Sequence, residues 1–86
     1  MFTHLGFSTW ETMEVVLCLE NNYGPMGVEY ARKYAICLPY MFKFKIREYL
    51  RNTNNGEFAR LHSDSSFKWS NVVWSEVQDN FLNYDR

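Results

Sequence analysis

Eighty-six residues are enough for one domain with one apolar core, close to the lower limit at which such a core suffices without staples. A net charge of −1 gives no overall basic excess of the kind that dedicated nucleic-acid binders carry. Two cysteines do not make a disulfide framework, and no run approaches the length of a membrane span. The N-terminus lacks the basic start and apolar run of a signal peptide. Composition therefore points to a single soluble, cytoplasmic domain, residues 1–86, with Cys18 and Cys37 as free buried thiols. The aromatic share is 19%, and each ring buries a large area at small entropic cost.

The first element begins at Ser8, which is placed to cap a helix by accepting from the Glu11 N–H while Glu11 reaches back to the Ser8 N–H. At about 100° per residue, Glu11, Glu14, Cys18 and Asn21 fall on one narrow strip, which reads as the wet side. Trp10, Met13, Val16 and Leu17 lie opposite, Val15 and Leu19 widen the apolar arc, and Glu20 projects from within it. The helix is apolar around most of its circumference, so part of that arc is a candidate for contact with another chain.

Gly6-Phe7 followed by Glu11-Thr12, an apolar helix and an Asn-rich turn resembles a family of small domains of unknown function from phages and prokaryotic genomes. The family signature reads Glu-Thr-Trp-Asn-Val-Ala-Leu-Trp before an Asn-Asp turn; Glu11, Thr12, Val15, Leu17 and Asn21 fit it. Met13, Glu14 and Cys18 stand where the family tends to have Trp, Asn and Trp, and Trp74-x-Glu76-Val77 is similar to its last helix. The resemblance covers about a quarter of the chain and implies a phage or mobile-element origin rather than a reaction.

Asn21-Asn22-Tyr23-Gly24-Pro25 ends the first helix and starts a second, with Gly24 as a stop and Pro25 at a first helical position. Val28, Ala31, Ala35 and Leu38 recur at helical intervals, and Pro39 predicts a break or kink after Leu38. Segment 40–51 fits two patterns. Phe42, Phe44 and Ile46 alternate with Lys43, Lys45 and Arg47 as in a strand, and Asn55-Gly56 is a hairpin turn signal that would join 41–51 to 57–62. The helical pattern accounts for more residues, with Phe42, Ile46, Tyr49 and Leu50 on one face. Residues 52–66 read as a loop. A last helix follows, capped by Ser70 or Asn71, with Val73, Trp74, Val77, Phe81 and Tyr84 on its apolar side. The expected fold is mainly α, a compact domain of three or four helices, with an α+β hairpin variant as the alternative.

Chemistry-bearing patterns are sparse. Cys18, Cys37, His4 and His62 lack zinc-site spacing, and no Gly-rich phosphate loop occurs. A thiol nucleophile with His62 and Asp64, or a two-histidine nuclease, has no local support. The expectation is a non-enzyme without metal or cofactor.

Charge is partitioned instead. Residues 1–29 carry Glu11, Glu14, Glu20 and Glu29 with no Lys or Arg, while 30–51 carry Arg32, Lys33, Lys43, Lys45, Arg47 and Arg51 against Glu48 alone. Those two blocks either pair with each other or offer a basic face to an acidic partner. Aromatic, Met and Arg side chains are the types that dominate interface centres. The reading is a small non-catalytic accessory protein that binds a host or self protein, with inhibition of a host protein or defence system as one form of action, Trp10, Met13, Leu17, Glu20, Trp74 and Phe81 as contact residues and a homodimer as one form. The alternative is nucleic-acid binding through the six cations between Arg32 and Arg51, interleaved with rings. A membrane partner is not expected.

Overall fold

In the computed structural model, which describes residues 6–22, 24–52 and 66–83, Pro39 opens a helix. Proline's fixed φ and missing N–H suit a first helical turn, and the Met41 and Phe42 amides donate to the Leu38 carbonyl just before it. Among the described residues there are four α-helices: α1 Trp10–Leu17, α2 Gly24–Tyr34, α3 Pro39–Asn52 and α4 Trp74–Leu82. A π-helical turn, Cys18–Asn22, continues α1, and a 3-10 turn, Trp69–Asn71, leads towards α4. The described residues hold no strand, so the mainly helical architecture stands. The hairpin alternative fails at its first arm, because 41–51 lies within α3; Asn55-Gly56 and the second arm lie outside the described residues.

Helix α4 is the hub, packing on α1, α2 and α3. It buries Trp74, Val77, Gln78 and Phe81, the i, i+3, i+4, i+7 stripe of a helix with one face on a core. Helix α3 answers with Phe42, Ile46 and Leu50, one turn apart and fully buried. The buried positions of helix α2 and the turn after it are small, Gly27, Ala31 and Ala35, spaced by four, with Val28, Tyr30 and Tyr34 half-buried against the core. Val15, Val16, Cys18 and Leu19 close the core from α1 and its π turn.

The start of α1 differs from the expected capping box. Thr9, with extended backbone (φ −133°, ψ 156°), is the N-cap, and its hydroxyl accepts from the Thr12 N–H at 3.2 Å. Ser8 turns instead to α4: its N–H donates to Glu76 Oε1 at 2.9 Å and its hydroxyl to Glu76 Oε2. Glu11 accepts from the Lys68 N–H at 3.3 Å and from Asn71 Nδ2 at 3.1 Å. The strip read as wet is therefore partly core, with Glu11 and Cys18 buried. The physical reason is that the connection 66–73 folds over that side and supplies donors to a carboxylate that would otherwise need water. Gly6, with φ +92°, takes the chain into this start in a conformation that other residues rarely adopt.

The buried Thr12 hydroxyl is the centre of a directional chain of hydrogen bonds. Thr9 Oγ1 donates its single proton to the Asn71 carbonyl at 2.8 Å, so the 2.6 Å contact between the two threonines must run from Thr12 to Thr9. Thr12 Oγ1 in turn accepts from the Val73 N–H at 2.8 Å. Residues 9–12 thus hold both ends of the turn before α4, which explains how that helix starts without a side-chain cap. Neither Ser70 nor Asn71 caps α4; its N-cap is Val73, and Asn71 is used against Glu11 and Thr9.

At the other end of the core, Gln78 is buried and its Nε2 donates to the carbonyls of Ala35 (3.1 Å) and Cys37 (2.6 Å). These bonds satisfy acceptors freed where α2 ends, and they fix the turn into α3 to the middle of α4.

Candidate functional site

The six side chains singled out for protein contact separate into two groups. Trp74 and Phe81 belong to the chain's own core, because α1 and α4 pack on each other within one molecule. Trp10, Met13, Leu17 and Glu20 are half-buried. Trp10 meets Phe67 edge-on at 5.6 Å, and Glu20 Oε2 accepts from Asn80 Nδ2 at 3.2 Å, so both are tied to the C-terminal part of the fold.

Most of the exposed large apolar side chains lie elsewhere, on residues 36–44, with Met26 and Leu82 apart from them in the chain. Ile36 is 79% exposed, Tyr40 69%, Phe44 64% and Leu38 58%, with Met41 also exposed. Leu38, expected to continue the buried face of the second helix, stands outside because α2 ends four residues earlier and Pro39 restarts the chain in a new direction. Phe42 and Phe44 show the same geometry on α3: two residues apart, they project to opposite sides, one into the core and one outward.

The cations of the middle segment are sorted by the same helix. Lys43, Arg47 and Arg51 recur every four residues and, with Tyr40 and Phe44, line an open hollow of about 390 Å³. These five residues occupy roughly one third of the helix circumference, adjacent to the buried row Phe42-Ile46-Leu50. The Arg47 guanidinium lies over the Trp69 ring, 5.0 Å from its centroid. Trp69 is itself held in a sequence of rings, stacked on Trp74 at 6.2 Å and meeting Phe67 edge-on at 5.0 Å.

Lys33 and Lys45 form a second group, with Nζ atoms 5.5 and 5.2 Å from the Tyr34 ring centroid. Tyr34 packs on Tyr30, which stacks on Tyr49 at 4.3 Å. A second hollow of about 430 Å³ runs past Met26, Glu29, Tyr30, Lys33 and Tyr49, between α2 and α3. Burial raises the phenol pKa of both Tyr30 and Tyr49, and for Tyr30 the neighbouring Tyr34, Glu48 and Tyr49 raise it further. Arg32 is exposed on α2. The six cations are therefore not one patch: Lys43, Arg47 and Arg51 share a stripe, and Lys33 and Lys45 share a ring.

Among the described residues no three His, Cys, Asp or Glu side chains gather as metal ligands, and no helix is long and apolar enough to cross a membrane. Cys18 is buried and Cys37 half-buried, and neither is in a disulfide; His4 and His62 lie outside the described residues. The sequence reading missed Ile36, Leu38 and Met41 as surface residues. The signal that points to them is Pro39, whose preference for a first helical turn moves Leu38 from a buried position to a helix start.

No family model, curated protein or solved structure matches the chain.

Proposed function

We propose that this chain is a small non-catalytic accessory protein that acts by binding another protein through the turn 36–38 and the outward side of α3. The observation that carries the reading is the concentration of five exposed large apolar side chains within nine residues, beside a row of cations. Exposed apolar side chains concentrated in this way on a small domain are characteristic of a contact site. The polar groups around α1 supply a second support, because Ser8, Thr9, Glu11, Thr12 and Glu20 are all engaged in bonds that join α1 to the C-terminal part. The resemblance to phage domains, which implies an origin, adds a host protein as the partner.

Affinity capture from a host lysate after nuclease treatment tests this, run with the wild-type chain and with Phe44→Ser. One dominant protein retained by the wild type and lost with the variant supports the reading. Equal capture by both, or an eluate emptied by nuclease, refutes it. The stripe of Lys43, Arg47 and Arg51 beside Tyr40 and Phe44 favours nucleic acid as the second reading, since cations and rings together neutralise phosphates and stack bases. A second copy of the chain is the competing protein partner. Light scattering reads that form directly, and a monomer of 10.4 kDa at micromolar concentration counts against it.

A further inference from the structure

We infer that the partner segment is an acidic amphipathic helix lying along α3, with its carboxylates on Lys43, Arg47 and Arg51 and its apolar side on Tyr40 and Phe44. The inference rests on the protein-binding reading above and adds the chemistry of the partner. Three observations support it.

The first is charge complementarity. Residues 30–51 hold six cations and one acid, Glu48, and Glu48 lies outside the arc that lines the hollow. The arc itself carries three positive charges and no negative one. An acidic segment gains from that local field, while a like-charged one is excluded.

Register is the second. Cations spaced by four residues rise about 6 Å from one to the next along a helix axis. Asp or Glu at i, i+4 and i+8 of a second helix has the same rise, so three pairs form in one alignment. Two of the three cations are arginines, whose planar fork donates two parallel hydrogen bonds to a carboxylate. Arg47 is already held against Trp69, so it has less freedom to lose on binding.

Third, the apolar neighbours of the stripe separate protein from nucleic acid. Tyr40 and Phe44 would serve either, because both have a stacking face. Ile36, Leu38 and Met41 have none, and they are exposed at the same end of α3. Aliphatic side chains gain by meeting aliphatic or aromatic side chains of a protein, and a phosphate backbone offers them no apolar counterpart.

The test is selection from a displayed library of random peptides of about fifteen residues, long enough for four helical turns. Binding of the selected peptides is then followed by backbone amide shifts of the full chain. Enrichment of acidic, helix-forming sequences that shift the amides of residues 40–51 is expected. Lys43→Glu with Arg51→Glu, both exposed positions, weakens those peptides about tenfold or more. Lys43→Arg with Arg51→Lys, which keeps the charges, restores most of the binding. Selected peptides that shift 40–51 without acidic enrichment overturn the acidic partner and leave the protein-binding reading standing. Shifts at 40–51 with a short poly-dT strand and with no selected peptide overturn both and establish the nucleic-acid reading.

Discussion

Thr12→Val keeps the volume and branching of a fully buried side chain and removes only its hydroxyl. In the wild type that hydroxyl accepts from the Val73 N–H at 2.8 Å and contacts Thr9 Oγ1 at 2.6 Å. The variant leaves the Val73 N–H without its acceptor, and stranding such a donor costs about 1–3 kcal/mol. The site is part-buried rather than sealed, which argues for the middle of that range, about 2 kcal/mol. Thr12→Ser is the control: it keeps both bonds and loses one buried methyl, worth about 1 kcal/mol. For a domain of this size about 1 kcal/mol moves Tm by about 4–8 °C, so the valine variant should melt about 8–16 °C lower and the serine variant about half as far. Urea unfolding followed by far-UV circular dichroism gives both free energies. A serine variant less stable than the valine variant, or a valine cost under about 0.5 kcal/mol, refutes the hydrogen-bond account and makes Thr12 a packing residue.

Gln78→Leu strips the Ala35 and Cys37 carbonyls of their shared donor, and a loss of about 1–2 kcal/mol is expected, with faster amide exchange at the α2–α3 turn as the local readout. Phe42→Ala should cost about 3–5 kcal/mol and Phe44→Ala less than about 0.5, measured by the same unfolding curves; similar costs at both positions would mean that α3 does not face the core as described. Tyr30 and Tyr49 have phenol pKa values raised mainly by burial, so the folded state holds those protons more tightly than the unfolded chain. Their contribution to stability is whole below about pH 10 and is lost as pH rises through the raised folded values. Tm should therefore fall more steeply above about pH 10 in the wild type than in Tyr30→Phe/Tyr49→Phe, and tyrosinate absorbance with all phenols titrating as in urea would contradict it.

The helical class and the faces of α3 and α4 were legible from spacing alone, because Phe42-Ile46-Leu50 and Trp74-Val77-Phe81 are periodic and apolar. The buried side of α1 was not. Its apolar residues span too much of the circumference to fix a direction, and what decides is polar: Glu11 and Thr12 turn inward because donors from residues 68–73 meet them there. Those donors come from about sixty positions away, so no local pattern announces them. The same cause misplaced the cap, since Ser8 and Thr9 are both competent and only the positions of Glu76 and Asn71 choose between them. The proposed contact surface was half legible. Spacing by four groups Lys43, Arg47 and Arg51, whereas the exposure of Ile36 and Leu38 depends on where α2 stops.

The partition of charge along the chain bears on the same surface. An acidic first helix and a basic middle could have neutralised each other, leaving α3 with nothing to offer. Two of the four N-terminal acids accept from neutral donors, Glu11 from a backbone N–H and Asn71, and Glu20 from Asn80. Lys33, Lys45 and Arg47, for their part, lie over the rings of Tyr34 and Trp69. A ring face attracts a cation through its quadrupole without cancelling its charge. Three cations of the middle segment are therefore held against rings that leave their charge in place, Arg47 among them on the stripe beside residues 36–44. Removing Trp69 tests that coupling. Trp69→Leu keeps an apolar side chain in place and frees Arg47, so the acidic-peptide affinity should fall severalfold while its salt dependence, set by the number of charges, stays as it was. An unchanged affinity would show that Arg47 gains nothing from being held.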